Sequence, residues 1–291
     1  MKNAAIFPGQ GAQLPGMGKD LYDSNPKAKE LFEQANEILG FRITDIMFGE
    51  DEEALQATNV TQPAVFLHSA VAALCNNVHP DMTAGHSLGE FSALAAAEVL
   101  SLEDALHLVS VRARAMQKCC EKVPGAMAAI IGADQSLIEE TCEKVKGTVV
   151  AANYNCDTQV VISGEEPAVD AVIEALGQAG VRKMVKLKVG GAFHSPLMEP
   201  ARAELAQAID RIHFHNPICP VYQNVDGLAH TSPAKIKEKL LQQLTSPVYW
   251  TSTIRNMVSD GATTFTVIGP GKVLQGLNKK IIPEIETLTL S

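Results

Sequence analysis

The sequence predicts an α/β protein in which a large unit built on a parallel sheet is interrupted by a smaller mixed unit. Three observations predict it. Short apolar runs alternate with stretches of helical period along most of the 291 residues, the pattern of a sheet covered by helices. The run Gly85-His86-Ser87-Leu88-Gly89, a G-x-S-x-G pattern, lies between one such strand and one such helix. Between residues 124 and 190 the order becomes strand, helix, two strands about an Asn/Asp turn, helix, strand, which is the split βαβ, ferredoxin-like arrangement.

The elements follow in order. Asn3 to Phe7 reads as a buried strand stopped by Pro8, and a turn-rich segment runs from Gly9 to Gly18. Lys27 to Leu39 carries apolar residues at helical spacing. Thr61-Gln62-Pro63 opens a helix to about Asn76, with Pro63 in its first turn. Met82 to Ala84 forms a short strand before the G-x-S-x-G turn, and Glu90 to Leu100 a helix after it. Ser101-Leu102-Glu103-Asp104 resembles a capping box, with aspartate in place of glutamate, and starts the next helix. Within the inserted unit, strands are expected at 126–132, 149–153, 159–163 and 182–189, and helices at 135–146 and 167–178. Larger helices return at 196–211 and 234–244, followed by a strand at 263–268 and a helix at 272–280. The large unit is therefore expected to comprise residues 1–123 and 191–291, and the inserted unit residues 124–190.

Composition limits the partners. A net charge of −9 argues against broad nucleic-acid binding. Two local basic clusters remain: Arg182, Lys183, Lys186 and Lys188, and Lys272, Lys279 and Lys280. The six cysteines form no C-x-x-C pair and no metal-ligand spacing, so neither a disulfide framework nor a metal is expected. No signal-peptide pattern and no apolar run long enough to span a bilayer is present. A membrane is not an expected partner, and a reducing cytoplasm is the expected compartment.

The chemistry centres on Ser87. A G-x-S-x-G turn lifts its serine out of the sheet, and the glycines give the room that neighbouring backbones require. A serine hydroxyl needs a general base. Among the eight histidines, His68 and His107 lie within helical patterns, and His213 and His215 in a loop before Pro217. His79 and His230 sit among turn residues, and His86 adjoins Ser87 on a turn that splays successive side chains. His194 stands apart, in Gly190-Gly191-Ala192-Phe193-His194-Ser195-Pro196, where a strand ends and a Pro-started helix begins. That position suits a base at a cleft edge, or a structural loop histidine. Gly9-Gln10-Gly11-Ala12-Gln13 satisfies neither the dinucleotide nor the P-loop spacing, so no nucleotide cofactor is expected. It is either a glycine-rich turn or a contributor to an oxyanion hole. Arg112, on an apolar stretch, is either half of a structural ion pair or a clamp for a substrate carboxylate.

Taken together, Phe7-Pro8-Gly9-Gln10-Gly11, Gly85-His86-Ser87-Leu88-Gly89-Glu90, Arg112, Ala192-Phe193-His194 and Gly269-Pro270-Gly271 occur in an order that resembles the malonyl-CoA:acyl carrier protein transacylases of bacterial fatty-acid synthesis. The resemblance covers essentially the whole chain. It implies an α/β-hydrolase-like large domain and malonyl transfer from malonyl-CoA to acyl carrier protein by a monomer, with no cofactor. It makes Ser87 the nucleophile and His194 its base. It assigns the oxyanion hole to the backbone N–H groups of Gln10 and Leu88, and the malonyl carboxylate to Arg112. A main-chain carbonyl shortly before Ser246-Pro247-Val248-Tyr249-Trp250 should orient the histidine, which indicates Gln243, with Gln242 adjacent. Phe193 is expected to crowd out an α-methyl group. Lys183, Lys186 and Lys188, or Lys272 and Lys279, would dock an acidic carrier protein.

Three other readings share parts of this pattern. A serine esterase expects an acid partner for the histidine, for which Glu199 is available, and would tolerate loss of Arg112. A polyketide-pathway acyltransferase would differ only in its carrier protein. A degenerate carrier-binding module would not need both Ser87 and His194.

Overall fold

The computed structural model describes residues 2–291; residue 1, with which the expected large unit begins, lies outside the described residues. The chain opens with β1 (Lys2–Phe7), α1 (Lys19–Ser24), α2 (Pro26–Leu39), α3 (Ile43–Met47) and α4 (Thr58–Cys75). Next come β2 (Met82–Gly85), α5 (Gly89–Ala96) and α6 (Leu102–Lys122). There follow β3 (Gly125–Ile131), α7 (Gln135–Lys144), β4 (Val149–Cys156), β5 (Gln159–Glu165), α8 (Glu166–Gln178) and β6 (Lys183–Lys186). The remainder comprises α9 (Glu199–Ile209), β7 (Val221–Tyr222), β8 (Ala229–His230), α10 (Pro233–Gln242), α11 (Trp250–Ser259), β9 (Ala262–Ile268), α12 (Val273–Ile281) and β10 (Thr287–Leu290).

Two sheets result, so the fold is mixed α/β. The larger has the order β10-β9-β1-β2-β7-β8 and is parallel except for the β7–β8 pair. Its middle is β1, whose Ala4 to Phe7 are fully buried because layers cover both faces. The smaller sheet is antiparallel, in the order β4-β5-β3-β6. The segment before α11 lies against β4 of the smaller sheet: Val248 N–H donates to Ala152 O at 2.8 Å, and Tyr154 N–H to Val248 O at 2.9 Å. The Tyr154 and Tyr249 rings stack beside this junction, 5.1 Å apart.

Several boundaries differ from expectation for local reasons. The helix expected from Thr61 starts one turn earlier, so Pro63 lies inside α4. Proline has no N–H to give the preceding turn, but α4 is buried on nearly every side, and packing outweighs that loss. Helix α5 stops at Ala96, short of Leu100, where Glu98 adopts a φ of 59° and Val99 N–H returns to Leu94 O. Ser101 caps α6 through Asp104 N–H at 3.0 Å, but the reciprocal half of the box is missing. The shorter Asp104 carboxylate accepts the Ser101 hydroxyl instead, at 2.7 Å. The strand expected at 182–189 pairs only as Lys183–Lys186 before the chain leaves the sheet edge. The helix expected at 196–211 is a 3-10 turn, Pro196–Met198, followed by α9. The short elements α1, α3, β7, β8 and β10, and helix α11, were not expected. All six cysteines are free thiols, four of them buried. Among the described residues no helix is long and apolar enough to cross a membrane, and no group of three or more His, Cys, Asp or Glu could hold a metal ion.

Candidate active site

The G-x-S-x-G turn connects β2 to α5 at the carboxyl end of the parallel sheet, the usual position for a ligand site in such sheets. Its glycines are sterically required. A Cβ on Gly85 would fall on the Gly89 carbonyl, one on Gly89 on the Phe7 carbonyl, and one on Gly9 on the His86 carbonyl. The turn holds Ser87 at a φ of 53°, a left-handed conformation that costs a non-glycine residue about 1–3 kcal/mol.

Ser87 Oγ lies 2.7 Å from His194 Nε2, across the joint between the two sheets. His194 Nδ1 lies 3.0 Å from the Gln243 carbonyl. A carbonyl only accepts, so Nδ1 carries the proton and Nε2 is free to receive one from Ser87. His194 also has a positive φ, 58°, and is buried. Burial first, then the nearby Arg112 charge, hold its pKa down at about 3. Of the two neighbouring glutamines, Gln243 supplies the carbonyl, from a 3-10 turn that follows α10. Glu199 is not its partner, because that carboxylate is paired with Arg202 at 2.7 Å.

Arg112, on α6, is fully buried and reaches the same point. Nη1 donates to Gln62 Oε1 at 2.6 Å, and Nη2 donates to Ser87 Oγ and Gln243 Oε1, each at 3.0 Å. Its Nε has no partner. Burial lowers its pKa to about 10 against the opposing charge of Glu90, so it is a cation at neutral pH. No protein acceptor takes the backbone N–H of Gln10 or Leu88 among the described residues. The loop carrying Gln10 is braced by Gly269 against Pro8 and by Gly271 against Ala12. Gln10, Ser87, Arg112, Phe193 and His194 line one cavity of about 260 Å3.

The other histidines stand apart from this chemistry. His86 lines the cavity, but its Nε2 meets Asn155 Oδ1 at 2.8 Å and its ring lies against Trp250. His68 is buried with Nδ1 unpartnered. His213 and His215 contact each other edge to face, and His230 meets Asp226 at 3.1 Å. A larger hollow of about 520 Å3, between the ends of α4 and α5, contains Ser101, His79 and His215. The Ser101 hydroxyl is occupied at the α6 cap.

Sequence reasoning missed two residues, Gln62 and Asn224, and the side-chain role of Gln243. Gln62 orients Arg112, and the Gln243 side chain bridges Arg112 and the Ser87 carbonyl. Asn224 accepts the Ser87 N–H. Gln62 is adjacent to Pro63 in a stretch read only as a helix start. Asn224 lies in an irregular segment with no pattern to mark it.

The chain is similar to known proteins over its whole length. The acyl transferase domain family matches residues 5–286. A protein named malonyl CoA-acyl carrier protein transacylase from Bacillus subtilis (strain 168) is 42% identical over 297 residues, covering 100% of this chain and 93% of the relative. One of the same name from Staphylococcus aureus (strain MRSA252) is 39% identical, covering 99% and 95%. A crystal structure of malonyl-CoA:acyl carrier protein transacylase from Xanthomonas oryzae pv. oryzae superposes with a TM-score of 0.95 at 39% identity, covering 99% of this chain and 94% of that one. A malonyl-transacylase solved with a type II polyketide acyl-carrier protein gives a TM-score of 0.95 at 36% identity, covering 100% and 96%. With these relatives along its whole length and a serine–histidine pair at its cleft, the chain belongs to the acyl transferase domain family, in its bacterial malonyl-CoA:acyl carrier protein transacylase branch.

Proposed function

We propose that the protein transfers the malonyl group of malonyl-CoA to the phosphopantetheine thiol of acyl carrier protein through a malonyl-Ser87 ester, supplying fatty-acid synthesis. The observation that carries this reading is Arg112, a buried guanidinium 3.0 Å from Ser87 Oγ. A malonyl ester presents its free carboxylate one methylene beyond the ester carbonyl, within reach of a cation beside the ester oxygen. An acetyl ester offers that cation nothing. The planar fork of arginine suits a carboxylate.

In this reading Ser87 Oγ attacks the thioester carbonyl and gives its proton to His194 Nε2. The Gln243 carbonyl holds the imidazole in the required tautomer and supports the imidazolium that forms. Negative charge on the former carbonyl oxygen is met by the N–H groups of Gln10 and Leu88, the second of them at the start of α5. The carbon–sulfur bond breaks, and His194 returns the proton to the coenzyme A sulfur. The carrier thiol then gives its proton to His194 and attacks the ester carbonyl, and Ser87 leaves with that proton. Phe193, in the cavity wall, limits room for a branched acyl group.

Acyl carrier protein is the acceptor, and Lys188 and Lys272 are the basic residues best placed to meet it, because each adjoins a residue lining the cavity. Lys186 is already bound to Asp170 at 2.5 Å. The strand order of the smaller sheet supports reading residues 124–190 as a ferredoxin-like insert in a hydrolase-like catalytic unit formed by residues 1–123 and 191–291.

The test is incubation with malonyl-CoA, acid quenching, and intact-mass and peptide analysis. A malonyl adduct on the Ser87 peptide is expected, absent in Ser87→Ala and not replaced by acetyl from acetyl-CoA. Steady coenzyme A release without an adduct would favour a thioesterase, and neither adduct nor release a binding module.

A further inference from the structure

We infer that Asn224, seated by Glu90, is a positioning residue that clamps the two sides of the Ser87 turn and thereby sets which backbone N–H groups face the reacting carbonyl. The inference rests on the acyl-transfer reading above. Both residues are fully buried, and neither touches the bound acyl group in that reading. Asn224 Oδ1 accepts the Ser87 N–H at 2.7 Å, and Nδ2 donates to the Gly85 carbonyl at 2.6 Å. A backbone N–H only donates and a carbonyl only accepts, so the orientation of the amide is fixed by its partners.

Each polar group of Asn224 is thereby engaged. Its backbone N–H donates to Glu90 Oε2 at 2.8 Å, and its carbonyl accepts from Tyr249 N–H at 2.9 Å. Glu90 is the residue directly after the G-x-S-x-G run, and its other oxygen accepts from Gln223 Nε2 at 3.1 Å. With both oxygens accepting N–H groups, the pair acts as an anchor at the foot of α5, and Asn224 reaches from it across the strained turn. The Tyr249 bond ties the same residue to the segment that lies against β4 and leads into α11.

Two consequences follow for the site. The Ser87 N–H is withdrawn from the cleft, which leaves the Leu88 N–H as the donor from this turn. The left-handed Ser87 is also held from both sides, so Oγ keeps its alignment with His194 when Arg112 exchanges Ser87 Oγ for a substrate carboxylate. No other side chain described here bonds both flanks of the turn; Gln243 Nε2 reaches only the Ser87 carbonyl.

The test compares Asn224→Ala and Asn224→Asp with the parent protein. Malonyl adduct formation is measured in a single turnover, with malonyl-CoA affinity and thermal unfolding alongside. Asn224→Asp keeps the volume and the acceptor for Ser87 N–H, but turns an oxygen towards the Gly85 carbonyl. Small misplacements of reacting groups cost about 10²-fold in rate, and both variants are expected to load Ser87 about that much more slowly. Affinity for malonyl-CoA should stay within about threefold, the signature of an interaction that acts on the chemical step and not on substrate binding. Loading within about threefold of the parent in either variant overturns the inference, as does weaker binding with an unchanged rate. If Asn224→Ala fails to fold, the nearly isosteric Asn224→Asp carries the comparison. Labelling of Ser87 by a fluorophosphonate needs no acyl-CoA. A slower labelling rate in the variants supports the clamp even if the parent fails to take malonyl, so the two readings fail separately.

Discussion

Replacing Arg112 by alanine should separate malonyl from acetyl. The guanidinium is 1% exposed and makes three hydrogen bonds, to Gln62, Ser87 and Gln243. Its removal leaves a bound malonyl carboxylate in the cavity with no cation. Breaking a buried ion pair from one side costs about 3–5 kcal/mol. At about 1.4 kcal/mol per factor of ten, that corresponds to a loss of roughly two to more than three orders of magnitude in malonyl loading. The cavity admits water, so the lower figure is the better expectation. Acetyl has no carboxylate and loses only the support Arg112 gives to Ser87 and Gln243. The ratio of malonyl to acetyl adduct, read by acid-quenched mass spectrometry on one enzyme sample, should therefore fall by about 10²-fold or more. Arg112→Lys keeps the charge but cannot serve Gln62, Ser87 and Gln243 together, and should give an intermediate ratio. An unchanged ratio, with both acyl groups lost alike, would refute the clamp and leave Arg112 as a support for the turn.

Other expectations concern pH, backbone and charge. Burial and the Arg112 charge hold His194 at about 3, so it remains a neutral base well below its ordinary pKa. Malonyl loading should keep its rate down to about pH 5, and an acid limb near 6.5 in single-turnover profiles would contradict this. Burial also lowers His68 to about 4. Below about 6.5 the unfolded chain takes up protons that the folded His68 and His194 refuse, so their contribution is present above that pH and is lost as pH falls towards the folded values. His68→Leu should therefore narrow the difference in urea midpoint between about pH 7.5 and pH 5, and an unchanged difference would show that His68 does not titrate on unfolding. Gly85→Ala puts a methyl onto the Gly89 carbonyl; overpacking of this kind costs typically about 1–3 kcal/mol or more, and denaturant titration should register at least that. Charge reversal at Lys188 or Lys272 should raise KM for carrier protein in steady-state assays and leave KM for malonyl-CoA alone. Equal changes in both would remove these lysines from the docking surface.

How much of the site was legible depended on how local its physics is. Ser87 was readable because a sharp turn between strand and helix excludes side chains on both flanks, and the excluded atoms belong to the turn itself or to β1. His194 was readable as a candidate because a double glycine before His-Ser-Pro marks a chain reversal, although spacing alone left a structural role open. The preference for Gln243 over its neighbour Gln242 came from the family resemblance and not from the local pattern. Both follow the same helical pattern, and only the 3-10 turn after α10 directs one carbonyl at His194. A helix boundary erred where burial outweighed propensity, as at Pro63 in α4; at Asp104 the start of α6 is as expected and only the reciprocal capping bond is missing, because the side chain is one methylene short.

The sequence by itself determined the α/β alternation, the separation of the strands of the two sheets along the chain, and the G-x-S-x-G turn. These arise from periodicity and steric exclusion between near neighbours. Only the tertiary structure decided which long-range groups converge. The side-chain amides of Gln62 and Gln243 lie 50 and 131 residues from Arg112, and that of Asn224 lies 137 residues from Ser87. Their amides carry no charge and no periodic signature in the chain. They become identifiable when folding removes water from Arg112 and Ser87, because each buried donor or acceptor must then find a partner within the protein.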